Sequence, residues 1–165
     1  MTRAPHHFSS KSREYSYSRP FYHKDLFEFL WEITPNKHIA WDCATGNGQA
    51  AIGLCRYFRN VIASDVSENQ IAKVFHRNNI TFEVFSAEKP GIQDNSVDLI
   101  TVVEVIYWFN FEEFYGQAMR VSRRNAIIAA WSYGMHKNES EINKIKEKPD
   151  VISYLSSLIR LFPSH

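Results

Sequence analysis

One short turn in this chain has the residue types and spacing of a ligand-binding loop. Asp42 is followed by Cys43-Ala44-Thr45-Gly46-Asn47-Gly48-Gln49, which places two glycines two residues apart. Glycine lets the backbone approach a bulky ligand closely, and a helix that begins after such a turn offers unpaired N–H groups to a carboxylate or phosphate. The pattern therefore indicates a loop that cradles a ligand, although tight turns use glycine in many other places.

Two later segments add polar groups that suit a nucleoside. Asp65 follows a predicted strand, and a carboxylate in that place can accept hydrogen bonds from both hydroxyls of a ribose. Ser86-Ala87-Glu88 leaves the next predicted strand toward the same edge and suits an adenine ring. Asp65 could instead cap the following helix, and Glu88 could be a solvated turn residue. The order of the three segments favours a nucleoside site.

The elements that must position these residues alternate between strands and helices. Helical spacing predicts helices at Asp25 to Ile33, from Gly48 to about Phe58, after a capping box of Ser67 and Gln70, and at Phe111 to Val121. Apolar runs predict strands at His38 to Asp42, Asn60 to Ser64, Ile80 to Phe85, Val97 to Val103 and Ala126 to Trp131. This alternation is typical of an α/β fold, with a parallel sheet of about five strands and helices on both faces.

Length and composition bound the rest of the prediction. The 165 residues suit one domain, with 44% hydrophobic and 22% charged residues, and we expect residues 1–14 to form a mobile segment ahead of a domain at 15–165. A net charge of +1 gives no field that would gather nucleic acid, and no apolar run is long enough for a membrane span. We therefore expect a soluble, cytoplasmic protein. Cys43 and Cys55 are interpreted as small buried hydrophobic residues, and no metal site is expected.

Four separated segments resemble the motifs of class I S-adenosylmethionine-dependent methyltransferases of the type 11 branch. Asp42 to Gly48 resembles the first glycine motif of that family, Asp65 its ribose-binding acid, and Ser86-Ala87-Glu88 the segment beside adenine. The fourth segment runs from Val97 into Trp108-Phe109. Upstream, Tyr17-Ser18-Arg19-Pro20-Phe21-Tyr22 resembles the lead-in of the trans-aconitate methyltransferase-like group.

The resemblance implies a Rossmann-like fold that binds S-adenosylmethionine. Gly46 and Gly48 would approach the methionyl part, Asp42 would help to hold its amine side, and Asp65 would bind the ribose. Tyr107 is the candidate catalytic residue, as a contact to the methyl acceptor. The residues expected to bind the cofactor are Tyr17, Arg19, Asp42, Ala44, Thr45, Gly46, Gly48, Gln49, Asp65, Val66, Ala87, Glu88 and Glu104.

The chain also departs from the pattern of that family. Ala44 replaces the first glycine of the motif, and Ser122-Arg123-Arg124-Asn125 replaces the usual turn before the fifth strand. The tail from Glu139 to Leu161 is predicted to be helical, so the usual C-terminal pair of strands is expected to be lacking. A fifth strand left at the sheet edge would expose backbone groups unless something covers it. The tail could cover this edge; otherwise a second subunit could pair there, which predicts a homodimer.

Three classes of function fit these observations. The first is methyl transfer from S-adenosylmethionine to a small-molecule acceptor. The second is a catalytically impaired cofactor-binding protein that acts through a partner. The third is a nicotinamide-dependent oxidoreductase, since Gly46-x-Gly48-x-x-Ala51 followed by Asp65 also resembles a dinucleotide fingerprint. Asp42 before the glycines argues against the third, and interspersed acidic and basic residues make a nucleic-acid acceptor unlikely.

Overall fold

The computed structural model describes residues 22–74, 76–104 and 108–131 in full, and the backbone of residues 155–160. The segment 1–14, predicted to be mobile, lies outside the described residues. Residues 139–154 of the predicted helical tail also lie outside them.

Four helices and six strands make up the described residues. The helices are α1 (Lys24–Ile33), α2 (Gln49–Leu54), α3 (Glu68–Ile71) and α4 (Phe111–Val121). The strands are β1 (Ile39–Cys43), β2 (Asn60–Asp65), β3 (Ile80–Val84), β4 (Val97–Val103), β5 (Ser122–Trp131) and β6 (Leu155–Arg160). The predicted alternation of strands and helices is thus confirmed, with α2 shorter and β5 longer than expected.

The six strands form one sheet in the order β3-β2-β1-β4-β5-β6. The first five strands are parallel, and β6 runs antiparallel to β5. The chain order reverses direction between β1 and β4, which lie side by side at the centre. In an open parallel sheet, such a switch point is where ligands bind, beyond the carboxyl ends of the strands.

Helices cover both faces of the sheet, as predicted. Alternate residues of the central strands point to opposite faces, so Ala40 belongs to one hydrophobic cluster and Trp41 to the other. The first cluster joins α1 and α2 to the sheet, and the second joins α4 to it. Two separate apolar layers therefore hold the sheet rigidly between them.

The ends of α1 and α4 follow from local hydrogen bonds. At the end of α1, the hydroxyl of Thr34 donates to the carbonyl of Leu30 at 2.6 Å, and Pro35 follows. At the start of α4, the side chain of Asn110 accepts from the backbone N–H of Glu113 at 3.4 Å. None of the helices described is long and apolar enough to cross a membrane.

The expectation of a wholly helical tail without a further strand is wrong. Residues Leu155–Arg160 form β6, with Leu158 opposite Ala129 of β5. Pairing with an open strand edge satisfies backbone groups that an isolated short helix would leave to water, which explains why the edge prevails over the helical pattern. Of the two covers considered for the edge of β5, the structure shows the tail, because β4 and β6 flank that strand on its two sides.

Candidate functional site

The described candidate residues gather at one edge of the sheet. Ala44 follows β1, Val66 follows β2, Ala87 follows β3 and Glu104 follows β4. These four strands are parallel neighbours in register, with Cys43 of β1 opposite Ser64 of β2. Segments that are far apart in the sequence therefore meet at the carboxyl ends of the strands, beside the switch point.

The loop between β1 and α2 has an unusual backbone, and we call residues 44–48 the glycine loop. Ala44, Gly46 and Gly48 all have positive φ, at 56°, 56° and 77°. A side chain at Gly48 would meet the ring of Phe82 at 3.3 Å, whereas a Cβ built at Gly46 has nothing within 4 Å. Ala44 adopts the left-handed conformation that favours glycine, so it carries backbone strain.

The carboxylate of Asp42 lies beneath this loop and is almost completely buried, at 1% exposure. Its Oδ1 accepts a hydrogen bond from the hydroxyl of Thr101 on β4 at 2.8 Å. Its Oδ2 accepts from the hydroxyl of Thr45 at 2.5 Å and from the backbone N–H of Ala51 at 3.1 Å. One side chain thus joins β1 to β4, to the glycine loop and to α2.

Burial raises the pKa of Asp42 from 3.8 to about 6. The hydrogen bonds from Thr45, Thr101 and Ala51 oppose this rise, and the nearby charge of Asp65 adds to it. Desolvation outweighs the three bonds because the carboxylate has left water almost entirely. The protonation of Asp42 therefore changes much closer to neutral pH than that of an aspartate in water.

Asp65 holds the other side of the glycine loop. Its Oδ2 accepts from the backbone N–H of Gly46 at 2.9 Å, and its Oδ1 accepts from the backbone N–H of Ser67 at 2.9 Å. Each carboxylate oxygen has two lone pairs, so both oxygens can accept a further hydrogen bond. Ser67 stands at the cap position of α3 but makes no side-chain cap bond, so the hydrogen bonds of the predicted capping box are not formed.

The segment after β3 contacts the start of α4. Ala87 is buried in the second hydrophobic cluster, and Glu88 is partly buried. Oε1 of Glu88 accepts from the backbone N–H of Asn110 at 3.0 Å. The segment predicted to lie beside adenine is therefore linked to the start of α4 through the carboxylate of Glu88.

The remaining candidates differ in what the structure says of them. Val66 is 70% exposed beside Asp65, an unusual position for a large apolar side chain. Gln49 is the first residue of α2. Glu104 has φ 64°, and its N–H donates to the carbonyl of Trp131 at 3.0 Å. Three other candidates, Tyr17, Arg19 and Tyr107, lie outside the described residues.

Sequence reasoning missed two polar residues that build this site. Thr101 lies at the centre of β4 and binds Asp42, and the carbonyl of Ser64 accepts from the N–H of Thr45 at 2.8 Å. The hydroxyl of Ser64 also accepts from the indole N–H of Trp41 at 2.9 Å. A polar residue in the middle of the apolar strand Val97–Val103 was the signal available for Thr101.

Residues 122–125 were predicted as a turn before the fifth strand, but they form the start of β5. Neither this segment nor the cysteines carry chemistry of the site. Cys43 is buried and Cys55 partly buried, both are free thiols, and burial raises the pKa of each. Arg123 lies 3.6 Å from the carboxylate of Asp98, at the opposite end of the sheet, and Arg124 is exposed. Within the described ranges, no group of His, Cys, Asp and Glu residues could hold a metal ion.

Comparison with known proteins gives a consistent result. The methyltransferase domain family matches residues 41–130, more than half of the chain. A methyltransferase of Dictyostelium discoideum is 35% identical over 144 residues, which cover 86% of this chain and 55% of that protein. The S-adenosylmethionine-dependent methyltransferase CRG1 of Saccharomyces cerevisiae is 25% identical over 74% of this chain and 45% of its own length.

A solved structure supports the same assignment. The type II methyltransferase of Anaeromyxobacter dehalogenans is 35% identical, with a TM-score of 0.69 over 77% of this chain and 54% of the other. This chain thus spans about half the length of the relatives it matches. Because the family match includes the glycine loop, Asp65 and the whole of β4, the chain belongs to the methyltransferase domain family.

Proposed function

We propose that this protein is an enzyme that transfers a methyl group from S-adenosylmethionine to a small-molecule acceptor. The observation that carries the proposal is the pairing of the glycine loop with Asp65 at the carboxyl edge of the sheet, through the 2.9 Å bond from the N–H of Gly46. The family match and the yeast relative, which is named as S-adenosylmethionine-dependent, support the choice of this cofactor.

The residues present fit such a cofactor. Open space above Gly46 leaves room for a ligand against the backbone, where a side chain would otherwise stand. Asp65 keeps hydrogen-bonding capacity for ribose hydroxyls, and the exposed side chain of Val66 offers an apolar surface next to it. Small-molecule sites combine apolar side chains with a few well-placed polar groups, and Val66 beside Asp65 fits that combination.

The role of the protein is to bind and orient. The glycine loop and Asp65 would hold the nucleoside, and Ala87 and Glu88 would lie beside its base. The bound cofactor supplies an already activated methyl group on its sulfonium, so the reaction needs alignment and exclusion of water more than covalent help from side chains. Tyr107 remains our candidate for a contact to the acceptor, and Tyr17, Arg19, Gln49 and Glu104 remain candidates for the cofactor.

A small acceptor is favoured over nucleic acid. The net charge of +1 provides no general attraction for a polyanion. Fold alone does not choose an acceptor, because this architecture supports many chemistries. The family match disfavours the nicotinamide-dependent alternative, and a binding protein without catalysis would differ from the proposed enzyme only in the absence of methyl transfer.

The proposal is tested by isothermal titration of the purified chain with S-adenosylmethionine and S-adenosylhomocysteine, with NAD as the control ligand. We expect the sulfur cofactors to bind and NAD to fail. Asp65→Ala should weaken binding at least tenfold, because about 1.4 kcal/mol of lost ribose contact already amounts to that factor. The matched control Asp94→Asn changes an exposed acid that precedes the amino end of β4 and pairs with Arg120, and it should bind normally.

Two results would contradict the proposal. One is binding of NAD in preference to the sulfur cofactors. The other is full affinity in a folded Asp65→Ala variant, with folding checked by circular dichroism. If the chain binds the cofactor, a panel of small carboxylic acids, amines and phenols then tests methyl transfer by formation of S-adenosylhomocysteine.

A further inference from the structure

We propose that Asp42 is a positioning residue whose ionised carboxylate holds the glycine loop in its ligand-binding shape, so that cofactor affinity falls when this carboxylate is protonated. This inference rests on the proposed function, since it concerns the regulation of the same site. It also changes the role expected from the family resemblance, in which Asp42 would help to hold the amine side of the cofactor.

The surroundings of Asp42 leave little of it for a ligand. The side chain is 1% exposed, and its two oxygens already accept three hydrogen bonds from the protein. In the sheet register, Asp42 stands opposite Thr101 on one side and Ala63 on the other. The carboxylate is thus enclosed between the sheet and α2, below the loop rather than on its surface.

The glycine loop depends on being held from below. Thr45 lies between two of its residues with positive φ, Ala44 and Gly46. The hydroxyl of Thr45 donates to Asp42, and its N–H donates to the carbonyl of Ser64. Asp42 also accepts from the N–H of Ala51, which sets where α2 begins relative to the loop. Ala44 has a positive φ, so the backbone of the loop is strained. Loss of these bonds would allow the loop to move to a less strained conformation.

The three donors suit an ionised carboxylate and not a protonated one. Thr45, Thr101 and Ala51 all present hydrogens to Asp42, so an added proton requires one hydroxyl to turn and accept instead. Geometry alone therefore couples protonation to the loop. The pKa of about 6 places this change within an accessible range of pH.

Other titratable groups near Asp42 are few. From β2, Asp65 acts on it as a like charge. From β1, the neighbouring Cys43 thiol has a pKa well above 9 and stays neutral. The contacts from β4 and α2 come from a hydroxyl and a backbone N–H, which do not titrate. Among the described residues, the bonds from Thr45, Thr101 and Ala51 therefore depend on the charge state of Asp42 itself.

The experiment measures the affinity for S-adenosylhomocysteine by isothermal titration between pH 5.0 and pH 7.5. If only the ionised form binds well, a pKa of about 6 predicts that wild-type affinity falls about tenfold over this range. Asp42→Asn should bind about tenfold more weakly at pH 7.5 and show no such fall. Subtracting its profile removes the titration of the ligand and of other groups, which both proteins share.

A second pair of variants keeps Asp42 in place. Thr101→Val removes one donor to the carboxylate, which should raise the pKa of Asp42 further and move the midpoint of the affinity profile to higher pH. Thr101→Ser keeps a hydroxyl and should restore the wild-type midpoint. If Thr101 merely filled space, its replacement would not move the midpoint of the affinity profile. This pair therefore tests the role of the Asp42 carboxylate even if Asp42→Asn fails to fold.

The matched control is Asp98→Asn. Asp98 is another buried acid, but it binds the N–H groups of His38 and Ile39 at the opposite end of the sheet. This variant should lose stability and keep the wild-type affinity profile. An equal loss of affinity in Asp98→Asn, or a folded Asp42→Asn that keeps the wild-type affinity and profile, would overturn the inference.

The failure of the inference is distinct from that of the proposed function. Wild-type protein that binds S-adenosylhomocysteine with a flat profile overturns the role of Asp42 alone. Wild-type protein that binds neither sulfur cofactor at any pH overturns the proposed function, and with it the inference.

Discussion

At the scale of single residues, the burial of Asp42 costs desolvation free energy that a buried apolar side chain would not. A buried carboxylate with a pKa of about 6 is less stable in the folded chain than the same group in water. An apolar residue in the same place would spare that cost but would leave Thr101, Thr45 and Ala51 without their acceptor. The carboxylate of Asp42 therefore serves as the acceptor for two hydroxyls and one backbone N–H that would otherwise be buried without a partner.

This leads to a prediction for stability against pH. The folded pKa of Asp42 is raised above its unfolded value of 3.8, so the folded state binds more protons in this range and gains stability as pH falls. Between pH 7 and pH 5, the free energy of unfolding of the wild type should rise relative to that of Asp42→Asn by about 1 kcal/mol.

Urea denaturation of both proteins at the two pH values measures this difference. Other carboxylates titrate alike in the two proteins and cancel in the comparison. A difference that stays constant, or that shifts in favour of the variant at pH 5, would show that burial does not raise this pKa.

At the scale of elements, the contact between α1 and α2 depends on one glycine that the motif analysis did not single out. A Cβ at Gly53 would lie 2.0 Å from the ring of Phe27, which is itself buried at 4% exposure. The ring cannot swing into solvent without emptying the first hydrophobic cluster. Gly53 therefore allows α2 to approach α1 closely enough to place the glycine loop.

We predict that Gly53→Ala lowers the free energy of unfolding by about 1–3 kcal/mol, the usual cost of overpacking a core. The control is Gly116→Ala in α4, where a Cβ meets nothing within 4 Å. There the same change should raise stability by about 0.5–1 kcal/mol, because alanine is the better helix former. Urea denaturation compares the two, and stabilisation by both variants would show that Phe27 yields easily.

At the scale of the whole molecule, the candidate site lies at the carboxyl ends of the parallel strands, and a structural hydrogen-bond cluster lies at their amino ends. Asp98 at the amino end of β4 binds the N–H groups of His38 and Ile39, which fixes where β1 begins. β6 then covers β5 along its outer side. The predicted homodimer was argued from an open β5 edge, and this reason is removed; the dimer and the cytoplasmic location stay predictions.

The covering of β5 can be tested by shortening the chain. A protein that ends after Trp131 lacks β6, so the backbone groups of β5 that face it are left without partners. We expect this variant to associate or precipitate with rising concentration in light scattering, while the full chain keeps a constant mass. A shortened chain that stays folded, with a mass that does not rise with concentration, would mean that β6 contributes little to closing the sheet.

The sequence by itself determined the order of the first five strands and the helices between them, and the segments that form the site. Apolar periodicity is a local property, so it located β4 and α4 at their observed bounds. Glycine spacing and the acid after β2 indicated the loop and its partner, because the chemistry of a nucleoside site restricts the residue types at those positions.

Only the tertiary structure decided which groups meet and in what charge state. Thr101 is 59 residues from Asp42 along the chain, and nothing local indicates that the sheet register places them opposite each other. The strand at 155–160 exists because β5 offers an open edge, a long-range contact that local propensity does not encode. Burial, and with it the raised pKa of Asp42, likewise follows from packing on both faces of the sheet, because desolvation depends on neighbours that only the folded chain assembles.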